Sequence, residues 1–152
     1  MYRAYIKDID EFDYNDVPHK GHFVYGNLIK GNTNDDTDAI VGDLIEINDE
    51  YVNVEWWQSI KKGSAEQSTG LKDVNGNEIY VGDILEFGSV WLNGDESDPQ
   101  EEDHTGIVEY HPEYASYVVN CNEMIYPLEQ MASFDGYSVR GNVHENPELL
   151  EA

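Results

Sequence analysis

The stretch GLKDVNGNEIYVGDILEF, residues 70–87, decides the reading of the fold. Asn75-Gly76 is the strongest short-range signal for a β-hairpin, because both central positions of a type I′ turn need positive φ. Strand-like sequence lies on either side of it, and Gly82-Asp83 makes a second turn feeding Ile84-Leu85-Glu86-Phe87. A calcium-binding reading fails on spacing. From Asp73, Asn75 and Asn77 stand where oxygen ligands belong, but Glu78 occupies the glycine position and Ile84 the position of the closing glutamate.

The second turn has an echo. AIVGDLIEI (39–47) and IYVGDILEF (79–87) share Val-Gly-Asp, two aliphatic residues, Glu and an apolar residue, forty residues apart. The pair reads as one structural element used twice. Gly42 and Gly82 are expected to take the unusual φ, and Asp43 and Asp83 to accept local amides as Asx turns do.

Working outward, YRAYIKD (2–8) and GHFVYGNLIK (21–30) read as strands, joined by a polar loop. GNTNDDTD (31–38) and KKGSAEQS (61–68) read as loops. Tyr51, Asn53 and Glu55 alternate with Val52, Val54 and Trp56, the period of a half-buried strand. GSVWLNGDESDPQEEDHT (88–105) loses periodicity and is expected to be an acidic flexible loop. GIVEY (106–110) and SYVVNCN (116–122) flank a hairpin loop, IYPLEQMASF (125–134) reads as one or two helical turns, and YSVRGN (137–142) as a last strand. In ENPELLEA (145–152), Asn146 is an N-cap candidate, with Pro147 at the first helical position and Glu148 favouring the helix N-terminus. The pattern predicts a single mainly β domain over 1–152 with a short C-terminal helix.

Charge is the compositional outlier. Eight basic residues face 32 acids, for a formal net charge of -24. Residues 73–139 hold fifteen of those acids and no lysine or arginine. Such a surface repels phosphate backbones and anionic membranes, and attracts basic proteins. The N-terminus has no apolar signal-peptide core, no apolar run is long enough to span a bilayer, and Cys121 is the sole cysteine. A reducing cytoplasm is the expected setting.

Chemistry-bearing motifs are sparse. His19 and His22 form one i, i+3 pair with no second pair to complete a zinc site. His144 lacks the second histidine of a metalloprotease motif, and Tyr137-Ser138 sits in no nucleophile elbow. No lysine or arginine lies near Cys121 in sequence to lower its pKa. No catalytic, cofactor-binding or metal-binding residue is assigned, and no cofactor is called for. The adjacent Trp56 and Trp57 point to opposite faces if on a strand, one into the core and the other either onto a second packed face or outward, where it would be an interface anchor. They form the candidate interaction set with Trp91 and the acids Asp95, Glu96, Asp98, Glu101, Glu102 and Asp103. Gly42, Asp43, Asn75, Gly76, Gly82 and Asp83 are assigned as structural turns.

TGLKDVNGNEIYVGDILEF and the ending RGNVHENPELLEA resemble the YopX-like family of phage and prophage proteins, and GHFVYGNLI is similar to a segment often found with them. The likeness runs from about Gly21 to the C-terminus. Departures from the family pattern are Val81 in place of an acid, Asn77 in place of a lysine and His144 in place of an aromatic residue. The resemblance implies a phage or prophage origin and a β pseudobarrel of SH3-like or PRC-barrel-like strands capped by a short helix. It supplies no catalytic residues.

Three functions are carried forward: an accessory protein without enzymatic activity that binds a host or phage protein; an acidic nucleic-acid mimic that inhibits a basic host nucleic-acid-binding protein; and a small metal-dependent enzyme. Direct binding of nucleic acid or membrane is not expected. Exposed strand edges are compatible with a homodimer, and no pattern demands one.

Overall fold

Antiparallel pairing accounts for nearly all of the regular structure. The structure, a computed structural model, describes residues 1–8, 17–34, 36–92, 99–131 and 136–151, with backbone alone at 89–92, 99–102 and 130–131. These residues gather into two compact units, Met1–Ser68 and Thr69–Ala152.

In the first unit β1 (Tyr2–Tyr5), β2 (Phe23–Ile29), β3 (Thr37–Val41) and β6 (Trp57–Lys61) form a sheet in the order β6-β3-β2-β1, and the first residues of β7 (Glu66–Lys72) continue it beside β1. Its core is Ala4, Ile6, Val17, Val24, Ile40 and Ile60. Arg3 is buried, donates to Glu66 at 3.0 Å and lies 4.5 Å from the centroid of the Phe23 ring, so its charge is paired where water is excluded. Between β3 and β6 the chain makes a separate two-stranded excursion, β4 (Leu44–Ile47) and β5 (Val52–Val54).

In the second unit the remainder of β7 lies next to β8 (Glu78–Tyr80). The main sheet runs β12-β11-β10-β9-β13, with β9 (Asp83–Leu92), β10 (Pro99–His111), β11 (Ser116–Cys121), β12 (Met124–Pro127) and β13 (Tyr137–Asn142). Its core is Ile79, Leu85, Phe87, Val108, Val119, Leu128 and Tyr137. A single helical turn, α1 (Leu128–Met131), lies where one or two were expected and contributes the buried Leu128.

The mainly β expectation holds, but three details differ. The sheets are open in strand order and do not close into a pseudobarrel. The C-terminal helix is one 3-10 turn, Pro147–Leu150, and Asn146 flanks it without a side-chain cap bond. Its Oδ1 instead accepts from the Asn142 amide at 3.3 Å. Residues 88–92 and 99–105, expected as flexible acidic loop, are strand: Gly88 to Leu92 pair with Asp103 to Pro99. Ladder bonds override the absence of apolar alternation, because pairing satisfies the backbone whatever the side chains are.

The opening stretch is a hairpin, but of a different turn type. Among the described residues the non-glycines at positive φ are Ala115, Asn122 and Glu123, so Asn75 is not in a type I′ turn. The turn starts at Asp73, whose carbonyl accepts the Gly76 amide at 3.0 Å, and Gly76 takes φ 84. Asp at the first position and Gly at the fourth suit a type I turn. The Asp73 carboxylate accepts the amides of Asn75 (3.0 Å), Asn77 (2.8 Å) and, across the unit, Val139 (2.9 Å). Partial burial pushes this carboxyl's pKa up, but those hydrogen bonds outweigh it and hold the group below the usual carboxylate range.

Candidate functional site

The most unusual surface grows out of the β3–β6 pair. The ladder that ends at Val41 opposite Trp57 continues through the Gly42 amide donating to Trp56 (2.9 Å) and the Glu55 amide donating to Asp43 (2.9 Å). It then passes into β4–β5, where Leu44 faces Val54, Glu46 faces Asn53 and Ile47 faces Val52, with a bulge at Ile45. Residues 37–61 are therefore one long hairpin. Its base packs on the first unit's core, with Ile40, Val41 and Ile60 buried. Its distal half is largely bare: every residue of β4 is exposed.

Opposed residues of an antiparallel pair share a face, and neighbours along a strand alternate. The bulge therefore puts Leu44, Ile47, Val52 and Val54 on one side. Glu46 and Asn53 lie on the other, where the Tyr51 hydroxyl donates to Glu46 at 3.1 Å. Leu44, Ile45, Ile47 and Val52 are 56%, 60%, 66% and 58% exposed. Fully burying such a side chain is worth about 1.5–3 kcal/mol. The bare face thus forgoes several kcal/mol, against roughly 5–15 kcal/mol for the net stability of a whole domain. The period-two alternation of residues 51–56 is real, and Val54 and Trp56 are half-buried as it predicted, but Val52, farther out, is 58% exposed.

An isolated two-stranded hairpin is only marginally stable in water. This one is held at both ends. At the tip, Asn48 Oδ1 accepts the amides of Glu50 (2.8 Å) and Tyr51 (3.1 Å). At the base, the Trp56 indole lies against two glycines. A Cβ on Gly42 would stand 2.5 Å from Trp56 Nε1, and one on Gly26 would stand 3.2 Å from the far edge of the ring. Gly42 has no positive φ; it is glycine because the indole needs its space. That corrects the expectation of a twice-used turn. Gly82 does take φ 94, and the buried Asp83 accepts the Tyr80 amide at 2.8 Å. Asp43 is exposed and contributes its backbone carbonyl.

The tryptophan pair divides between faces: Trp56 is half-buried against the core, and Trp57, on the edge strand β6, is 41% exposed. Trp91, Glu101 and Glu102 lie on the paired β9 and β10, and Asp103 on β10 is exposed. Asp95, Glu96 and Asp98 lie outside the described residues. Several acids of 73–139 have structural partners: Asp73 and Asp83 as above, Glu86 with Arg140 (3.2 Å) and Glu109 with Asn120 (3.3 Å).

Four histidines make local contacts, although the buried Nδ1 of His111 has no hydrogen-bond partner among the described residues. His19 Nδ1 lies 2.8 Å from the Gly21 carbonyl, and His22 Nδ1 lies 2.9 Å from that of Ile6. His104 stacks on Phe87, and His111 stacks on Tyr114. Burial pushes the Cys121 thiol up to about 11, which keeps it protonated and unreactive at neutral pH. Among the described residues no three His, Cys, Asp or Glu side chains are grouped to hold a metal ion.

Fold and site together describe a small antiparallel β protein whose conspicuous surface is an uncovered apolar hairpin. The family model for YopX protein matches residues 17–151, and the chain belongs to that family. A crystal structure of protein EF1440 from Enterococcus faecalis is 28% identical, with 74% of this chain and 78% of that chain covered and a TM-score of 0.48. Among curated proteins, none matches.

Apart from Trp56 and Trp57, the 43–57 surface was missed in sequence, although both halves of its signal were present. The Val-Gly-Asp repeat marked β4, and the alternation marked β5. What could have exposed it is the turn chemistry of Asn48-Asp49-Glu50, which joins the two into a hairpin.

Proposed function

We propose that this YopX-family protein is a phage or prophage accessory protein without enzymatic activity that works in the bacterial cytoplasm by binding another protein. The observation that carries this reading is the apolar face of Leu44, Ile47 and Val52, each more than half exposed on a braced hairpin. Patterned apolar surface left bare is a feature of interaction sites. The phage setting is supported by the family motifs around Asn75-Gly76 and in RGNVHENPELLEA.

A nucleic-acid mimic is the competing reading. It needs a free track of carboxylates, and Asp73, Asp83 and Glu86 spend theirs on amides and Arg140. A pull-down of the full chain from host lysate separates the two. Raising salt from about 0.1 M to about 0.5 M cuts the screening length from ~10 Å to under half of that. A partner held at both salts is the expected result. A basic partner released at the higher salt would favour the mimic, and no partner at either would defeat both readings.

A further inference from the structure

The geometry points to the distal hairpin, residues 43–57, as the docking element, and to its partner as a protein that offers an apolar groove rimmed by lysine or arginine. This rests on the protein-binding reading and names the partner's chemistry. The hairpin holds five acids, Asp43, Glu46, Asp49, Glu50 and Glu55, all exposed, and no lysine or arginine. They are not scattered over the apolar side. By the same alternation Asp43 and Glu55 lie with Glu46 on the reverse face, and Asp49 and Glu50 lie at the tip. The apolar strip therefore has negative charge at its tip and behind it. A partner that buries Leu44, Ile47 and Val52 brings its own rim against the acidic tip and edges, where like charge is penalised and basic groups are favoured.

The same placement disfavours a second copy. A twofold interface sets each residue against its symmetry counterpart's neighbours. Two hairpins packed face to face would join chains that each carry a net charge of -24, with acids at each tip and behind each apolar face. The apolar contact would then be opposed by like charge.

The test places a photo-crosslinking amino acid at position 45 of the full chain in host cells, with a control at the exposed Tyr114 of the second unit. Adducts are identified, and the recovered partner is titrated against wild type, Ile47→Asp, Val52→Lys and the double variant Asp49→Lys/Glu50→Lys. The side chains changed are exposed, so circular dichroism and melting temperature serve as the check on folding. The expected result is an adduct at 45 and not at 114 with a basic protein. Affinity falls at least about 30-fold for Ile47→Asp and Val52→Lys, as for interface hot spots. It falls roughly tenfold for the charge reversal, mostly in association rate. A partner that binds Ile47→Asp and Val52→Lys as tightly as wild type would overturn the docking assignment and leave the protein-binding reading standing. An adduct with a second copy, or a partner displaced fully by poly-lysine, would also overturn it. Absence of any partner would sink both.

Discussion

Two seven-residue strings in this chain are near copies, and the fold treats them oppositely. In Val81 to Phe87, the side chains of Ile84, Leu85 and Phe87 are 0%, 0% and 3% exposed; in Val41 to Ile47, those of Leu44, Ile45 and Ile47 are more than half exposed. Local sequence is the same, so the difference lies in what each strand meets. β9 is flanked by β10 and β13, and its inner face meets the core of Val108, Val119 and Leu128. β4 has β5 alone. A strand sequence fixes which faces are apolar, and the tertiary neighbours decide whether an apolar face is buried within the chain or left for something outside it.

The comparison breaks most visibly on truncation. Leu85→Ala should cost about 2–5 kcal/mol in chemical denaturation, as a fully buried leucine does. Ile45→Ala, the matching position, should change stability by no more than about 0.5 kcal/mol. Equal losses would mean that the hairpin is buried in solution.

The two glycines should both resist alanine, for different reasons. Gly42→Ala should cost about 1–3 kcal/mol by overpacking the indole, and it should shift tryptophan emission because Trp56 must move. Gly82→Ala should cost a similar amount, about 1–3 kcal/mol, through backbone strain at its positive φ, with emission unchanged. The aspartates that follow sharpen the contrast. Asp83→Ala strands the Tyr80 amide and should cost about 1–3 kcal/mol, whereas the exposed Asp43→Ala should stay within about 0.5 kcal/mol.

The smallest effect is one of pH. The Asp73 carboxyl is held below its usual range in the folded state, so its contribution is fully present above the unfolded value of about 3.9 and is lost as pH falls through the folded value. Urea midpoints should therefore drop below about pH 4, with this group adding at most about 1.4 kcal/mol per pH unit. Asp73→Asn should flatten that part of the profile.

Much of this was legible in the sequence. Strand identity along 21–30, 79–87, 106–110, 116–122 and 137–142 followed from alternation and turn residues, and the family from two long motifs. What stayed hidden depended on distant partners. Asp73 looked like one residue of a hairpin flank, and the Val139 amide that it accepts is 66 residues away. Glycine at 42 looked conformational and is steric, because Trp56 arrives from across the hairpin. The bulge at Ile45 aligns Leu44 with Ile47, and no residue type announces it. Trp56 and Trp57 were correctly expected to part between two faces, but the apolar surface beside them was read as already covered.

The bond from Val139 to Asp73 has a consequence for how the protein is made. The strand pairings described for the first unit are complete by Ser68, so it can close while the rest of the chain is still being synthesised. The second unit begins with a turn whose buried carboxylate is satisfied in part by a strand from its far end, and Val74 likewise donates to Tyr137 at 3.0 Å. Contacts of such sequence separation must be reached before they reward the chain, and they slow folding. The halves should therefore emerge from the ribosome on different schedules, the first folding as it appears and the second waiting for β13 to fasten its opening turn.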